Sequence, residues 1–268
     1  MKRHYTKSMS EQEANLLLFI QDEEKFVFTT SEIRKIAGSK NFKDWPTLLI
    51  NLKRKGWIAQ LEKGKYLVRG GEANSFLIAA RLVKPAAIAY WSALNHYGLT
   101  EQIPNTVFVQ TTKRKRSREV LNVRYKFITI SPHKFFGLQK EWVRRNYYSI
   151  TDIEKTILDC FDKPDKAGGF PEAVKGLCQA SESLDKDKLW EYALLLRNNA
   201  VVKRLACISE MLDLKGFEEF QTNAREGLTL KYSLLDPLSP PGGKYLRKWR
   251  LLLNRSQDEI IGMAKDVF

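Results

Sequence analysis

Asp152-Ile153-Glu154 is the most suggestive carboxylate pair in this 268-residue chain. Two carboxylates one residue apart could hold a divalent cation and assist phosphodiester cleavage. They also precede an apolar helical run, where acids meet the positive end of the helix dipole, and the capping reading is the stronger of the two. A metal-dependent nuclease would further need an acidic-x-Lys on a strand beside a second carboxylate. That pattern occurs only at Glu23–Lys25, in an expected loop, and at Asp213–Lys215, near a helix end. His4, His96 and His133 are scattered, and none has a carboxylate or cysteine at ligand spacing. There is no phosphate-binding glycine loop and no GxSxG. Cys160, Cys178 and Cys207 form no CxxC, and their odd number is no disulfide framework, which fits a reducing cytoplasm. The expectation is a protein that is not an enzyme, with no catalytic or metal-ligating residues and no cofactor.

The chemistry the sequence does offer is contact with a polyanion. The net charge is +14, and residues 1–70 carry a surplus of six cations, residues 71–180 a surplus of seven, and residues 181–268 a surplus of one. Nucleic acid is the first partner this suggests and an acidic membrane surface the second. The most apolar stretch, residues 73–94, is interrupted by Arg81, Lys84 and Pro85, so it reads as buried helix and not as a membrane span. A helix over residues 44–55 places Trp45, Leu48, Leu49 and Leu52 on one face. Lys43, Thr47, Ile50 and Arg54 fall on the opposite face, with Asn51 and Lys53 flanking it and Lys40 just upstream. Arginine and asparagine match guanine and adenine edges in the major groove, and Thr47 and Ile50 suit a thymine methyl. Lys63 and Lys65 at a following hairpin are placed for phosphates beside the groove. A second basic patch, Lys113, Arg114, Lys115, Arg116 and Arg118, is dense enough in like charge to gain most by meeting phosphates; the plainer reading is a solvated loop.

The elements that would position these residues follow from periodicity and punctuation. Ser10 and Glu13 form a capping-box pattern ahead of Leu16, Leu17, Phe19 and Ile20, a first helix ending near Gln21. Residues 26–28 are extended. Thr30 or Ser31 caps a second helix that Gly38 stops, and the third helix ends at Gly56, with Pro46 tolerated in its first turn. Strands over 57–61 and 65–68 flank a tight turn at Glu62-Lys63-Gly64. Three helices and a hairpin in this order predict a winged helix-turn-helix, with a boundary at Gly70-Gly71. Beyond it, residues 73–98 read as helical with a break at Pro85, residues 106–110 and 123–130 as strands, and residues 153–161 as a helix capped by Thr151 or Asp152. Residues 171–220 read as mostly helical. A strand, a turn at Pro240–Gly243 and a strand bearing Trp249 follow. The fold class predicted is α+β: a winged helix-turn-helix domain over 1–70, then a larger mixed α/β domain over 71–268, divisible into a mixed 71–180 part and a helical 181–268 part.

Several segments resemble the AbiEi-type antitoxins, winged-helix regulators paired with an AbiEii-type nucleotidyltransferase toxin. They are Leu49–Trp57 with Gly64–Tyr66, Ser92–Thr100 continuing to Pro104, Thr151–Asp159 with Gly168-Gly169, and Tyr232–Asp236 leading to Trp249. The resemblance implies a cytoplasmic protein that represses its own operon by binding double-stranded operator DNA, and a C-terminal domain that counters the toxin. Wings of such proteins are often arginine-rich, whereas Gln60-Leu61-Glu62 precedes the turn here. Two alternatives stay open: a metal-dependent nuclease with a winged-helix DNA-presenting domain, acting near Asp152 and Glu154, and a transcription regulator with no toxin partner.

Overall fold

A computed structural model describes residues 8–22, 26–40, 42, 44–70, 74–103 and 105–264. Lys43, the Glu23–Lys25 pair, His4, Gly71, Ala73 and Pro104 therefore lie outside the described residues. The chain is a mixed α/β protein.

The first three helices are α1 (Glu11–Asp22), α2 (Thr30–Ser39) and α3 (Trp45–Lys55), with β1 (Val27–Thr29) between α1 and α2. The Ser10–Glu13 capping box forms in both directions. α2 starts one residue earlier than expected: Thr29 is its cap, with Glu32 closing the reciprocal bond to the Thr29 N–H. Gly38 does not stop α2, which continues to Ser39. α3 ends at Gly56, whose φ of 86° is open to glycine at little cost. The strands β2 (Ile58–Glu62) and β3 (Lys65–Val68) follow, joined by Lys63-Gly64. Trp57 is outside β2 and Glu62 inside it, so the turn is one residue shorter than expected. The three strands form an antiparallel sheet in the order β1-β3-β2.

Alternation splits this sheet between two cores. Phe28, Ile58 and Val68 join Leu16, Ile20, Ile33 and Leu52 from the helices. Val27, Leu61 and Leu67, on the other face, join Leu77, Ile78 and Leu82 of α4 (Ser75–Leu82). Both faces are thus covered.

The expectation of continuous helix over 73–98 is corrected. α4 is followed by β4 (Ala87–Ile88) and α5 (Trp91–His96). Residues 87–90 are all buried, and a short wholly apolar run carries no periodicity that separates buried strand from buried helix. The central sheet is completed by β5 (Thr106–Thr111), β6 (Arg118–Val120), β7 (Val123–Thr129), β8 (Leu138–Val143) and β9 (Asn146–Thr151), in the order β6-β7-β5-β4-β9-β8. β5–β7 and β4–β9 pair in parallel and the rest antiparallel. α4 packs on β4, β5 and β9.

The remaining helices are α6 (Ile153–Asp162), α7 (Phe170–Ala180), α8 (Lys186–Leu196), α9 (Asn199–Met211) and α10 (Glu218–Glu226). They share one apolar core that runs from Leu94 to Ala264. Three short strands, β10 (Ser233–Leu234), β11 (Lys244–Leu246) and β12 (Leu251–Leu253), and a final α11 (Gln257–Ala264) close the chain. Trp249 is not on a strand as expected. It sits in the turn before β12, fully buried, and its indole N–H donates to Glu210 at 2.6 Å.

Candidate nucleic-acid interface

α3 is anchored on one side and open on the other. Leu48, Leu49 and Leu52 are buried, as the helical wheel requires, and Trp45 packs half-buried beside them. Lys55 ties the helix to α1 through an ion pair with Glu13 at 2.5 Å and a bond to the Ser8 carbonyl. Burial works to raise the Glu13 carboxyl, but Lys55 and the Ser10 backbone outweigh it and hold the group below its ordinary pKa.

On the open side Thr47, Lys53 and Arg54 are exposed, and Ile50 is 64% exposed. Asn51 is half-buried, and its Oδ1 accepts from the Arg54 guanidinium at 3.2 Å. The two side chains suited to base edges therefore preorganise one another on a single ridge. Lys40 is exposed too, with its ammonium 4.9 Å from the Phe19 ring centroid.

The hairpin beside α3 does not match its expected part in full. Lys63 stands exposed at the tip. Lys65 turns inward, 2.7 Å from Glu62, and donates to the Leu82 carbonyl at 3.1 Å. The basic segment is likewise not one free loop. Lys115 and Arg118, the latter already in β6, reach Glu62 at 2.6 and 2.7 Å. Lys113, Arg114 and Arg116 are exposed. Burial opposes ionisation of Glu62, but hydrogen bonds from Lys115 and Lys65 outweigh that and hold its pKa below the ordinary glutamate value. Three cations meet on this one carboxylate, and two of them, Lys115 and Arg118, fasten the edge strand β2 to the edge strand β6. Between them a groove of about 600 Å³ is bordered by Lys53, Lys63 and Arg69 on one wall and the β6–β7 turn on the other. Lys53 is steadied there by Gln60 at 2.5 Å.

Sequence reasoning missed Glu62 as a hub. Its partners Lys115 and Arg118 lie 53 and 56 residues away, and no local spacing signals a pairing at that range.

The carboxylate pair at the start of α6 has a structural use. Asp152 is the N-cap and accepts from the Lys155 N–H at 2.9 Å. Its other oxygen faces the Tyr192 hydroxyl and Lys188, both at 3.1 Å. Glu154 pairs with the same Lys188 at 2.8 Å and accepts from the Asp185 N–H. Burial alone would depress the Lys188 pKa; hydrogen bonds to Glu154 and Asp152 reverse this and raise it. Among the described residues no group of three or more His, Cys, Asp or Glu could hold a metal ion, and no helix is long and apolar enough to cross a membrane.

No protein-family model and no curated protein matches the chain. Among solved structures, the crystal structure of the RV2827C protein from Mycobacterium tuberculosis is similar, with a TM-score of 0.66 at 13% identity over 98% of this chain and 97% of that one. The likeness is one of fold, and it extends over nearly the full length of both chains.

Proposed function

We propose that the protein is a DNA-binding transcriptional repressor whose residues 1–70 form a winged helix, with α3 as the recognition helix and the β2–β3 hairpin as the wing. The observation that carries this reading is the outer ridge of α3. Thr47, Ile50, Asn51 and Arg54 stand together on it, above a fully packed inner face. An exposed isoleucine flanked by a hydrogen-bonded Asn–Arg pair is costly decoration for a solvated helix and apt for a major groove. Lys40 and Lys63 lie near the ridge in sequence, the exposed cations of 113–116 belong to the segment held at Glu62 of β2, and together they supply phosphate contacts. The reading assigns no catalytic step and takes Asp152 and Glu154 as a helix cap and as partners of Lys188, Tyr192 and backbone N–H groups.

The role as antitoxin to a nucleotidyltransferase toxin in the cytoplasm rests on the resemblance to the AbiEi-type proteins, as does the assignment of the operator to the protein's own operon. Toxin rescue on co-expression separates it from a stand-alone regulator: growth restored by the full chain supports the antitoxin, and none leaves the regulator.

Fluorescence anisotropy on the operon's upstream DNA and on random duplex tests the first part. Arg54→Ala and Asn51→Ala should each weaken operator binding by about 1–3 kcal/mol for every base edge the side chain reads, and leave random-duplex binding nearly unchanged. Equal losses on both duplexes would mean that the ridge touches phosphate alone and reads no bases.

A further inference from the structure

The second charge-rich feature of residues 71–180 lies on the β8–β9 hairpin, which the proposed function does not use. Alternation sorts its paired residues onto two faces. Glu141 and Tyr148 face inward, where Tyr148 is 4% exposed and packs edge-on against Phe76 at 5.3 Å. The outer face carries Lys140 opposite Ser149 and Trp142 opposite Tyr147. Trp142 is 61% exposed and Tyr147 47% exposed, their rings 5.1 Å apart and tilted by 53°. The Lys140 ammonium sits 4.8 Å from the Tyr147 centroid. None of these four outer residues is a carboxylate.

Cations extend from both ends of the aromatic pair. Arg144 and Arg145 form the two-residue turn between the strands. Arg144 takes a φ of 55° there, a left-handed conformation that arginine seldom adopts. Tyr147 also lines a cavity of about 370 Å³ shared with Arg81, Lys84, Arg145 and Ser149. Lys84 has no ion-pair partner among the described residues.

We propose that this hairpin is a binding site for single-stranded nucleic acid, with an unpaired base stacked on Trp142 and Tyr147 and backbone phosphates taken by Lys84, Lys140 and the arginine turn. Exposed aromatic faces inside a cationic strip are what a splayed strand needs, because every base has a π face and each step carries one phosphate. Duplex DNA keeps its base faces stacked and cannot use them. Tyrosine, tryptophan and arginine also recur in protein interfaces, but lysine is depleted there, and Lys84 and Lys140 beside the aromatic pair favour a strand that carries a phosphate at each step.

The site is separate from the α3 surface. The N-terminal sheet has β1 at one edge and β2 at the other. Glu62 of β2 holds the 113–118 segment, whereas the hairpin lies at the β1 edge, with Arg144 5.6 Å from the Phe26 ring and Arg81 paired to Glu32 at 3.4 Å.

The experiment is anisotropy titration of the full chain with a labelled oligothymidylate of about a dozen nucleotides, within the usual footprint of such sites, with operator duplex and a mononucleotide as separate arms. Trp142→Ala should weaken single-strand binding about 5- to 150-fold, the range for removing the stacking of one base, and leave duplex affinity unchanged. Arg54→Ala should do the reverse. Trp142→Phe should retain most of the binding, which excludes misfolding as the cause. Lys84→Gln should weaken the oligonucleotide and make its binding less salt-dependent. The proposal is overturned by wild-type protein that does not bind the oligonucleotide, by a Trp142→Ala variant that binds it undiminished, by binding of the mononucleotide as tight as that of the strand, or by complete competition between strand and operator duplex.

Discussion

If α3 is the recognition helix proposed above, neutralising the exposed cations of the basic segment measures how far a duplex extends past it. Five cations lie between Lys113 and Arg118, but Lys115 and Arg118 are committed to Glu62, which leaves Lys113, Arg114 and Arg116 exposed. Each phosphate contact contributes about −0.9 to the slope of log K against log salt on B-form DNA. Replacing these three by glutamine should therefore flatten the slope by up to about 2.7. Between 50 and 200 mM salt, the wild type should lose roughly 40-fold more affinity than the variant. The flattening should be the same on operator and random duplex, because phosphate carries no sequence. The assay is a set of anisotropy isotherms at four or more salt concentrations for both proteins and both duplexes. Parallel lines would refute the reasoning and leave the segment a solvated loop as far as DNA is concerned. A flattening confined to operator DNA would refute it too, since that would make the contacts base-specific.

Glu62→Gln should lower stability by about 1–2 kcal/mol, between the value of an exposed ion pair and that of a charged hydrogen bond, because its partners are partly solvated; thermal unfolding by circular dichroism reads it. The folded-state pKa of Glu62 lies below its unfolded value, as does that of Glu13, so the stability they confer is complete above the unfolded pKa of about 4.3 and drains away as pH falls below it. A wild-type acid-unfolding profile that Glu62→Gln does not alter in that window would count against the hub. Asp159→Ala leaves the fully buried Lys155 without its carboxylate and should cost about 3–5 kcal/mol in urea unfolding; a loss under about 1 kcal/mol would contradict that. A fragment of residues 1–70 should fold around Leu16, Ile33 and Leu52, yet melt below the full chain because Val27, Leu61 and Leu67 lose their cover; an equal melting temperature would mean that this second face contributes nothing.

Local signals made much of the N-terminal unit legible. The capping box at Ser10, the 3.6-residue period of Leu48, Leu49 and Leu52, and the left-handed stop at Gly56 are each written within a few residues of the feature they control. The outer ridge of α3 could be read for the same reason. The central sheet was less legible. Its strand β4 is two residues long within a buried apolar run, and β8 is an edge strand whose outer face mixes Lys140 with Trp142, so neither shows a clean two-residue period. Asp152 was legible as a cap from its place before an apolar run, but its partner Lys188 was not. Trp249 invited a strand because aromatic residues favour strands, whereas here it plugs the helical core from a turn, a preference that long-range packing overrode.

The pairings that escaped sequence reasoning have one geometric theme. β6 and β8 are the two edges of the six-stranded sheet, and β1 and β2 are the two edges of the N-terminal sheet. β6 meets β2 through Glu62, and the β8–β9 turn reaches the entry to β1 through Arg144 and Phe26. With Val27, Leu61 and Leu67 buried in the core that α4 shares with the central sheet, the N-terminal unit is held at both flanks and along one face. Edge strands offer unpaired backbone groups to any passing chain, and charged side chains and tight turns are the usual guard against that. Here the same charges also orient two units against each other. On the proposed function, a rigid orientation would let the exposed cations of 113–116 follow a groove entered by α3, and would keep the aromatic hairpin clear of it on the opposite flank. Weakening the Glu62 hub should therefore broaden the salt response of duplex binding without altering the behaviour of a single strand at Trp142.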